Sequence, residues 1–493
     1  MTGRAHASRR RFLALGAACA GAALGSRFGV FRPQHAWAQE PSPNPTLRPG
    51  EEMLLVARRE VSPAGQRVKG IVANQTFPSY ELRARQGELL RVTVENELDQ
   101  PTAVHFHGVL APNAMDGVPG LTQPPIEPRQ SYVYELPLVE PGTYFYESTW
   151  KLQRQLGLVG ALVVEARDEP HEVKHDLVLL LTDWTNSDPA RIVGELRNPP
   201  TPVPGEAQAQ RLINLLPGDA PFPIDVRYSA YLVNGRSHRD AWTHQVSPGE
   251  RVRLRLINAS SATFFRFMVE GHALQVVAAD GRAVEPVEVD DLVLGTGERY
   301  DVILTMGAAG SYSLRAAALG APGGAIGVLH TPGVRPVVST RPPRWGERHL
   351  TYAMLRAPQD TAFSGASKAK RIRMRIGGDV ARYLWNVDGF TYPGEFVSGE
   401  PKSEPLALSA GERVELELVN ETTLWQPLHL HGYRFRLLAG QGARAPWKDT
   451  VAVAPGKSVK IEFLADRPGR WLLTSCNVYR AQSGLARLLT VEG

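Results

Sequence analysis

Gln86-Gly87-Glu88-Leu89-Leu90-Arg91-Val92-Thr93-Val94-Glu95-Asn96 returns in pattern as Pro248-Gly249-Glu250-Arg251-Val252-Arg253-Leu254-Arg255-Leu256-Ile257-Asn258 and again as Ala410-Gly411-Glu412-Arg413-Val414-Glu415-Leu416-Glu417-Leu418-Val419-Asn420. The glycines lie 162 residues apart in both intervals, 87 to 249 and 249 to 411. Equal spacing at this period means three copies of one folding unit. Each copy reads as a Gly-Glu turn entering a strand of alternating apolar and charged residues, the period-2 mark of a half-buried β-strand. Short apolar runs such as Leu177–Leu181 and Tyr300–Leu304 surround the copies, separated by Pro- and Gly-rich turns, and no long amphipathic helix competes. The expected fold is all-β, three consecutive β-sandwich domains of Greek-key type.

A chain of 493 residues suits that count at about 150 residues per domain. The domains are expected at 50–167, 176–335 and 348–493, with 186–226 and 355–370 as surface excursions. Residues 1–38 read as an export leader. Ser8-Arg9-Arg10-Arg11-Phe12-Leu13 is a twin-arginine pattern, an apolar stretch runs from Leu13 to Leu24, and Ala36-Trp37-Ala38 offers a cleavage site. That stretch is too short and too rich in Ala and Gly for a membrane span. Gly16-Ala17-Ala18 lacks the apolar residue that lipid attachment at Cys19 usually needs.

The leader carries six arginines and no acidic residue, so its removal takes the formal charge from +5 to −1. The basic balance therefore says nothing of nucleic acid, and no basic stripe or stacking motif supports a nucleic-acid role. A mature chain without Cys19 keeps only Cys476 and can form no internal disulfide. The expected location is periplasmic or extracellular, with no transmembrane segment in the mature chain.

Nine residues after the repeat asparagine, the first copy carries His105-Phe106-His107-Gly108 and the third His429-Leu430-His431-Gly432, while the second carries Phe267-Met268-Val269. Histidines two apart on a strand face the same way. If the first and third copies pack about a pseudo-symmetry axis, His105, His107, His429 and His431 converge. Four imidazoles suit copper or zinc, with copper intrinsically favoured. Against this stands a bland reading, in which each pair consists of satisfied strand histidines. Two pairs at equivalent repeat positions, among thirteen histidines in all, weigh against it.

With Asp116-Gly117, Gly142-Thr143-Tyr144-Phe145-Tyr146, Gln426-Pro427-Leu428, Trp447-Lys448-Asp449-Thr450 and Trp471-Leu472-Leu473 in the right order around these pairs, residues 50–493 resemble the multicopper oxidase superfamily. The resemblance implies cupredoxin-like domains. It assigns His105 and His429 to a type 2 copper and His107 and His431 to the paired type 3 coppers. The remaining type 3 positions read Glu147-Ser148-Thr149 and Ser475-Cys476-Asn477, so four of six type 3 histidines are missing. At the type 1 site the histidines are replaced by Gln426 and, at about the second position, Ala481. The axial Met region reads Gly484-Leu485, and only Cys476 survives.

What the resemblance leaves is one mononuclear centre, with too few ligands for a laccase and open to Glu147 or Asn477 as oxygen ligands. Asp116 resembles the acid that handles protons beside the type 2 copper, and also reads as a turn aspartate. Glu147 reads equally as ligand, general base or solvated residue.

Two functions follow. One is an exported copper protein, an oxidoreductase acting on an unknown small molecule. The other is a metal-free scaffold for a periplasmic protein partner, similar to the copper-free cell-division member of the superfamily. Survival of all four His-x-His histidines while the other six copper histidines are gone favours the first. The loops around Trp150-Lys151-Leu152-Gln153 and at 355–370 would shape a substrate site and carry no recognisable motif.

Overall fold

The computed structural model describes residues 46–47, 53–198, 224–339, 341–364, 368–394 and 404–493, all within a unit running from Pro41 to Gly493. The leader at 1–38 with Cys19 lies outside the described residues, as do parts of the two expected excursions. No helix among the described residues is long and apolar enough to cross a membrane.

Each repeat strand occupies the same place in its own sandwich. Leu89–Asn96 pairs parallel with Met53–Val61 and antiparallel with Ser131–Pro137. Arg251–Asn258 does the same between His175–Trp184 and Arg299–Thr305, and Glu412–Asn420 between Lys370–Asp379 and Ser458–Ala465. The glycines before them hold φ of +88°, +82° and +80°, a conformation that a Cβ would strain and that turns the chain into the strand.

The repeat asparagine then steers the chain across to the second sheet. Asn96, Asn258 and Asn420 are buried, and each amide nitrogen donates to two backbone carbonyls: Gln100 and Ile126, Thr263 and Leu294, Leu424 and Val453. Each amide oxygen accepts the N–H two residues on, at Leu98, Ser260 and Thr422. Three identical clamps satisfy every polar atom of a buried amide, and they set the start of the strand that follows.

That following strand is Val104–His107, Phe265–Val269 or Gln426–Leu430, each antiparallel to Gly142–Ser148, Ser311–Ala318 or Gly469–Ser475 in the second sheet. Leaving one sheet for the other after each repeat strand gives the Greek-key sandwich. One apolar core fills each sandwich. In the first, Val104 and Phe106 point into that core; in the third, Leu428 and Leu430 do. The alternate positions, His105, His107 and His429, are therefore turned the other way and are nonetheless buried. In the second domain the same strand carries Phe267 and Val269, both core residues, so that copy adds no histidine.

Candidate metal centre

The four expected histidines meet. Ring centroids are 3.8 Å apart for His107 and His429, 4.2 Å for His105 and His431, 4.8 Å for His429 and His431, and 5.4 Å for His105 and His429. His105, His107 and His429 each offer a ring nitrogen within 4.8 Å of the others, and His105, Asp116 and His431 form a second such set.

Two of the rings are presented alike. His105 Nδ1–H donates to the Asp116 carbonyl at 2.6 Å, and His429 Nδ1–H donates to the Asp449 carbonyl at 2.9 Å. A carbonyl only accepts, so both rings carry their proton on Nδ1 and a lone pair on Nε2. Both Nε2 atoms are buried and have no hydrogen-bond partner. A backbone acceptor fixing the tautomer of an imidazole whose other nitrogen is bare is the arrangement that orients histidine toward a metal. Leaving two such acceptors unpaired otherwise costs free energy. The residues therefore fit a metal ion held by Nε2 of His105 and His429.

His107 is held differently. Its Nε2 lies 2.8 Å from the Thr450 hydroxyl, and its Nδ1 is 3.4 Å from Glu147 Oε1. Burial holds His105 down to about 3, with neighbouring His431 adding to the effect, and burial likewise lowers His107 and His429, so these three rings are neutral at pH 7.

Asp116 caps a short 3-10 turn, as an Asp-Gly turn suggests, and its side chain also enters the cluster. Oδ2 is 3.1 Å from His431 Nδ1 and Oδ1 is 3.5 Å from His105 Nδ1. Burial would raise its carboxyl, but the imidazoles, His431 first, bring it below the ordinary value. Asp449 plays a matching part on the other side. Its carboxylate takes both arms of buried Arg299 at 2.7 and 2.6 Å. Asp280 accepts the Thr450 N–H and pairs with Lys448 at 2.9 Å. The second domain thus fixes the corner whose carbonyl orients His429.

Where the resemblance expects the missing ligands, the side chains are engaged otherwise. Glu147 Oε2 pairs with buried Arg154 at 2.5 Å. Arg154 also donates to the Ser260 carbonyl at 2.7 Å and the Cys476 carbonyl at 3.3 Å. Burial raises the Glu147 carboxyl against the pull of that guanidinium. Asn477 is no free oxygen ligand: its Oδ1 accepts from the N–H groups of Tyr479 and Arg480 as the cap of helix Val478–Gln482, and its Nδ2 donates to Asp225.

Gln426, at the type 1 histidine position, donates to Thr422 and accepts from Arg480 at 2.9 Å. Arg480 in turn grips Asp225 at 2.6 and 2.7 Å. Cys476 is buried, and burial pushes its thiol well above the ordinary value.

Arg154, Arg480 and Asp225 escape sequence reading because no local motif marks them. Asp449 lies in a quoted signature whose role spacing alone does not give.

Family models described as multicopper oxidase match residues 55–169, 175–333 and 368–493. The chain is 33% identical over 434 residues to multicopper oxidase MmcO of Mycobacterium tuberculosis, covering 86% of this chain and 84% of that protein. It is 27% identical to a copper resistance protein A homolog of Pseudomonas syringae pv. tomato, over 98% of this chain and 99% of that one. Among solved structures, a multi-copper oxidase from Pseudomonas thermotolerans superposes with TM-score 0.67 at 25% identity, covering 91% of this chain and all of that one. The laccase from Botrytis aclada gives TM-score 0.73 at 24% identity over 92% and 91%, a likeness that speaks to the fold alone.

Proposed function

This chain belongs to the multicopper oxidase family, and on that premise we propose that it is an exported copper-binding protein with one mononuclear, type 2-like site between its first and third domains, an oxidoreductase and not a laccase. The observation that carries this reading is the matched pair of bare, buried Nε2 atoms on His105 and His429. These two would anchor the ion, with His107 and His431 as the further imidazoles. Copper is favoured over zinc by intrinsic affinity. Bound there, copper would supply a Lewis acid or a one-electron redox centre.

The protein's own groups do the rest. The carbonyls of Asp116 and Asp449 hold the tautomers of His105 and His429, and Arg299 holds Asp449 in place. Asp116, ionised and 3.1 Å from His431 Nδ1, is the group placed to accept and return a proton beside the ion. Glu147 balances Arg154 and bounds the site next to His107.

Electron entry through a blue copper needs two imidazoles beside the thiolate. Gln426 and Ala481 offer none, and the Arg480 guanidinium is hydrogen-bonded to Gln426. A fixed cation there opposes a second one. The twin-arginine leader supports export to the periplasm or beyond.

A metal-free scaffold is the second reading. It is favoured by Arg154 and Arg480, buried cations beside the positions where type 3 and type 1 ligands are missing. Titrating Cu²⁺ into the mature chain separates the two. The proposal expects one tight equivalent, weakened at least a hundredfold by His105→Ala with His429→Ala. A wild-type titration without a tight equivalent leaves the scaffold.

A further inference from the structure

A cavity of about 370 Å³ lies against the imidazole cluster. Its inner end is formed by buried His107, His429 and His431, and its outer part by the half-buried or exposed Trp150, Lys151 and Tyr392. That volume falls within the range of small-molecule pockets, about 300–1,000 Å³. The cavity runs along positions where the resemblance expects imidazoles. Glu147, Thr149 and Ser475 replace type 3 histidines, Ala481 stands at about a type 1 position, and all four line the space.

The lining specifies a ligand. Among the described residues its cationic side chains are Lys151 and Arg154, and its one carboxylate, Glu147, is ion-paired with Arg154 at 2.5 Å. Two cationic side chains against one carboxylate leave the described wall with a net positive charge, which favours an anion. The Trp150 indole N–H is buried without a hydrogen-bond partner, a donor that an oxygen acceptor would satisfy. The aromatic side chains of Trp150 and Tyr392 line the cavity, and aromatic rings favour stacking with a planar body.

We propose that this cavity binds small planar organic anions of the aryl carboxylate class and brings them directly to the imidazoles. Their delivery to an ion rests on the mononuclear reading above, whereas the pocket itself does not. Substrate would then meet the metal without a relay.

The test uses the mature full-length chain, metal-free and copper-loaded, with benzoate as probe and benzamide and cyclohexanecarboxylate as controls. Binding is read by calorimetry and tryptophan fluorescence, and by the EPR spectrum of the loaded form. Ala481→Phe and, separately, Thr149→Trp fill the cavity, with circular dichroism as the folding control. The expected result is saturable one-to-one benzoate binding, at least tenfold tighter than either control and at least tenfold weaker in each filled variant, with an altered copper spectrum.

One copper per chain with no saturable benzoate binding overturns the pocket and leaves the metal reading. Saturable binding by a chain that takes up no copper upholds the pocket and overturns the metal reading. Benzamide binding as tightly as benzoate overturns the assignment to anions.

Discussion

Arg480→Met removes a guanidinium that donates to both oxygens of Asp225, at 2.6 and 2.7 Å, to the Trp425 carbonyl at 2.5 Å and to Gln426 Oε1 at 2.9 Å. Asp225 keeps the Tyr383 hydroxyl at 2.8 Å and the Asn477 amide at 3.1 Å but loses its cation. Both members of the pair are about 5% exposed or less. Stranding one charge of a buried pair costs about 3–5 kcal/mol, and loss of the hydrogen bond to Gln426 Oε1 acts in the same direction at about 1 kcal/mol or more.

A loss of about 4 kcal/mol is therefore expected, the methionine packing offsetting part of the total. Replacing both partners, Arg480→Met with Asp225→Leu, should recover most of it, because an apolar pair carries no stranded charge. The assay is equilibrium urea denaturation followed by tryptophan fluorescence. Trp385, fully buried with its ring 5.0 Å from the guanidinium carbon, reports on this corner. A three-domain chain can unfold in steps, so the comparison is made on the transition that Trp385 follows. A single variant within about 1 kcal/mol of wild type, or a double variant no better than the single, would refute the reasoning.

Acid should weaken the metal-free protein. His105, His107 and His429 are neutral when folded but take up protons near 6.5 when unfolded, so unfolding binds protons below that pH. For His105, stability is lost as pH falls from about 6.5 toward about 3, at up to about 1.4 kcal/mol per pH unit. Melting temperature against pH should flatten over that window in His105→Gln, and an unchanged profile would contradict the assignment. Asp116→Asn is expected to lower copper affinity about 10–100-fold at unchanged stoichiometry; equal affinities by competition titration would remove Asp116 from the site. Gln426→His with Ala481→His should yield no blue absorption on adding Cu²⁺ while Arg480 and Asp225 remain, and an intense blue band would show that the guanidinium does not block the position.

The fold was legible because it is written three times. Gly87, Gly249 and Gly411 mark one turn, and Asn96, Asn258 and Asn420 one clamp, so a spacing seen in sequence returns as three equivalent strand pairings. The convergence of His105, His107, His429 and His431 was legible for a related reason, since strand alternation sets the histidines opposite core residues Phe106 and Leu430. What stayed hidden is tertiary. Arg154 reaches Glu147 from a neighbouring turn, but Arg480 meets Asp225 across 255 residues, and no local pattern encodes such a pairing. Asn477 could be read as an oxygen donor until the helix it caps was seen. Trp150 and Lys151, from a loop expected to shape a substrate site, do line the cavity, but its extent was illegible, because side chains that are too short to fill a space leave no motif.

The most direct test of one metal site in place of four coppers is metal analysis of the purified, copper-loaded mature chain together with its EPR and visible spectra. One copper per chain, with a type 2-like EPR signal and no intense blue band, is the predicted result. A chain that retains no copper, or one that holds several with a blue band, would contradict it.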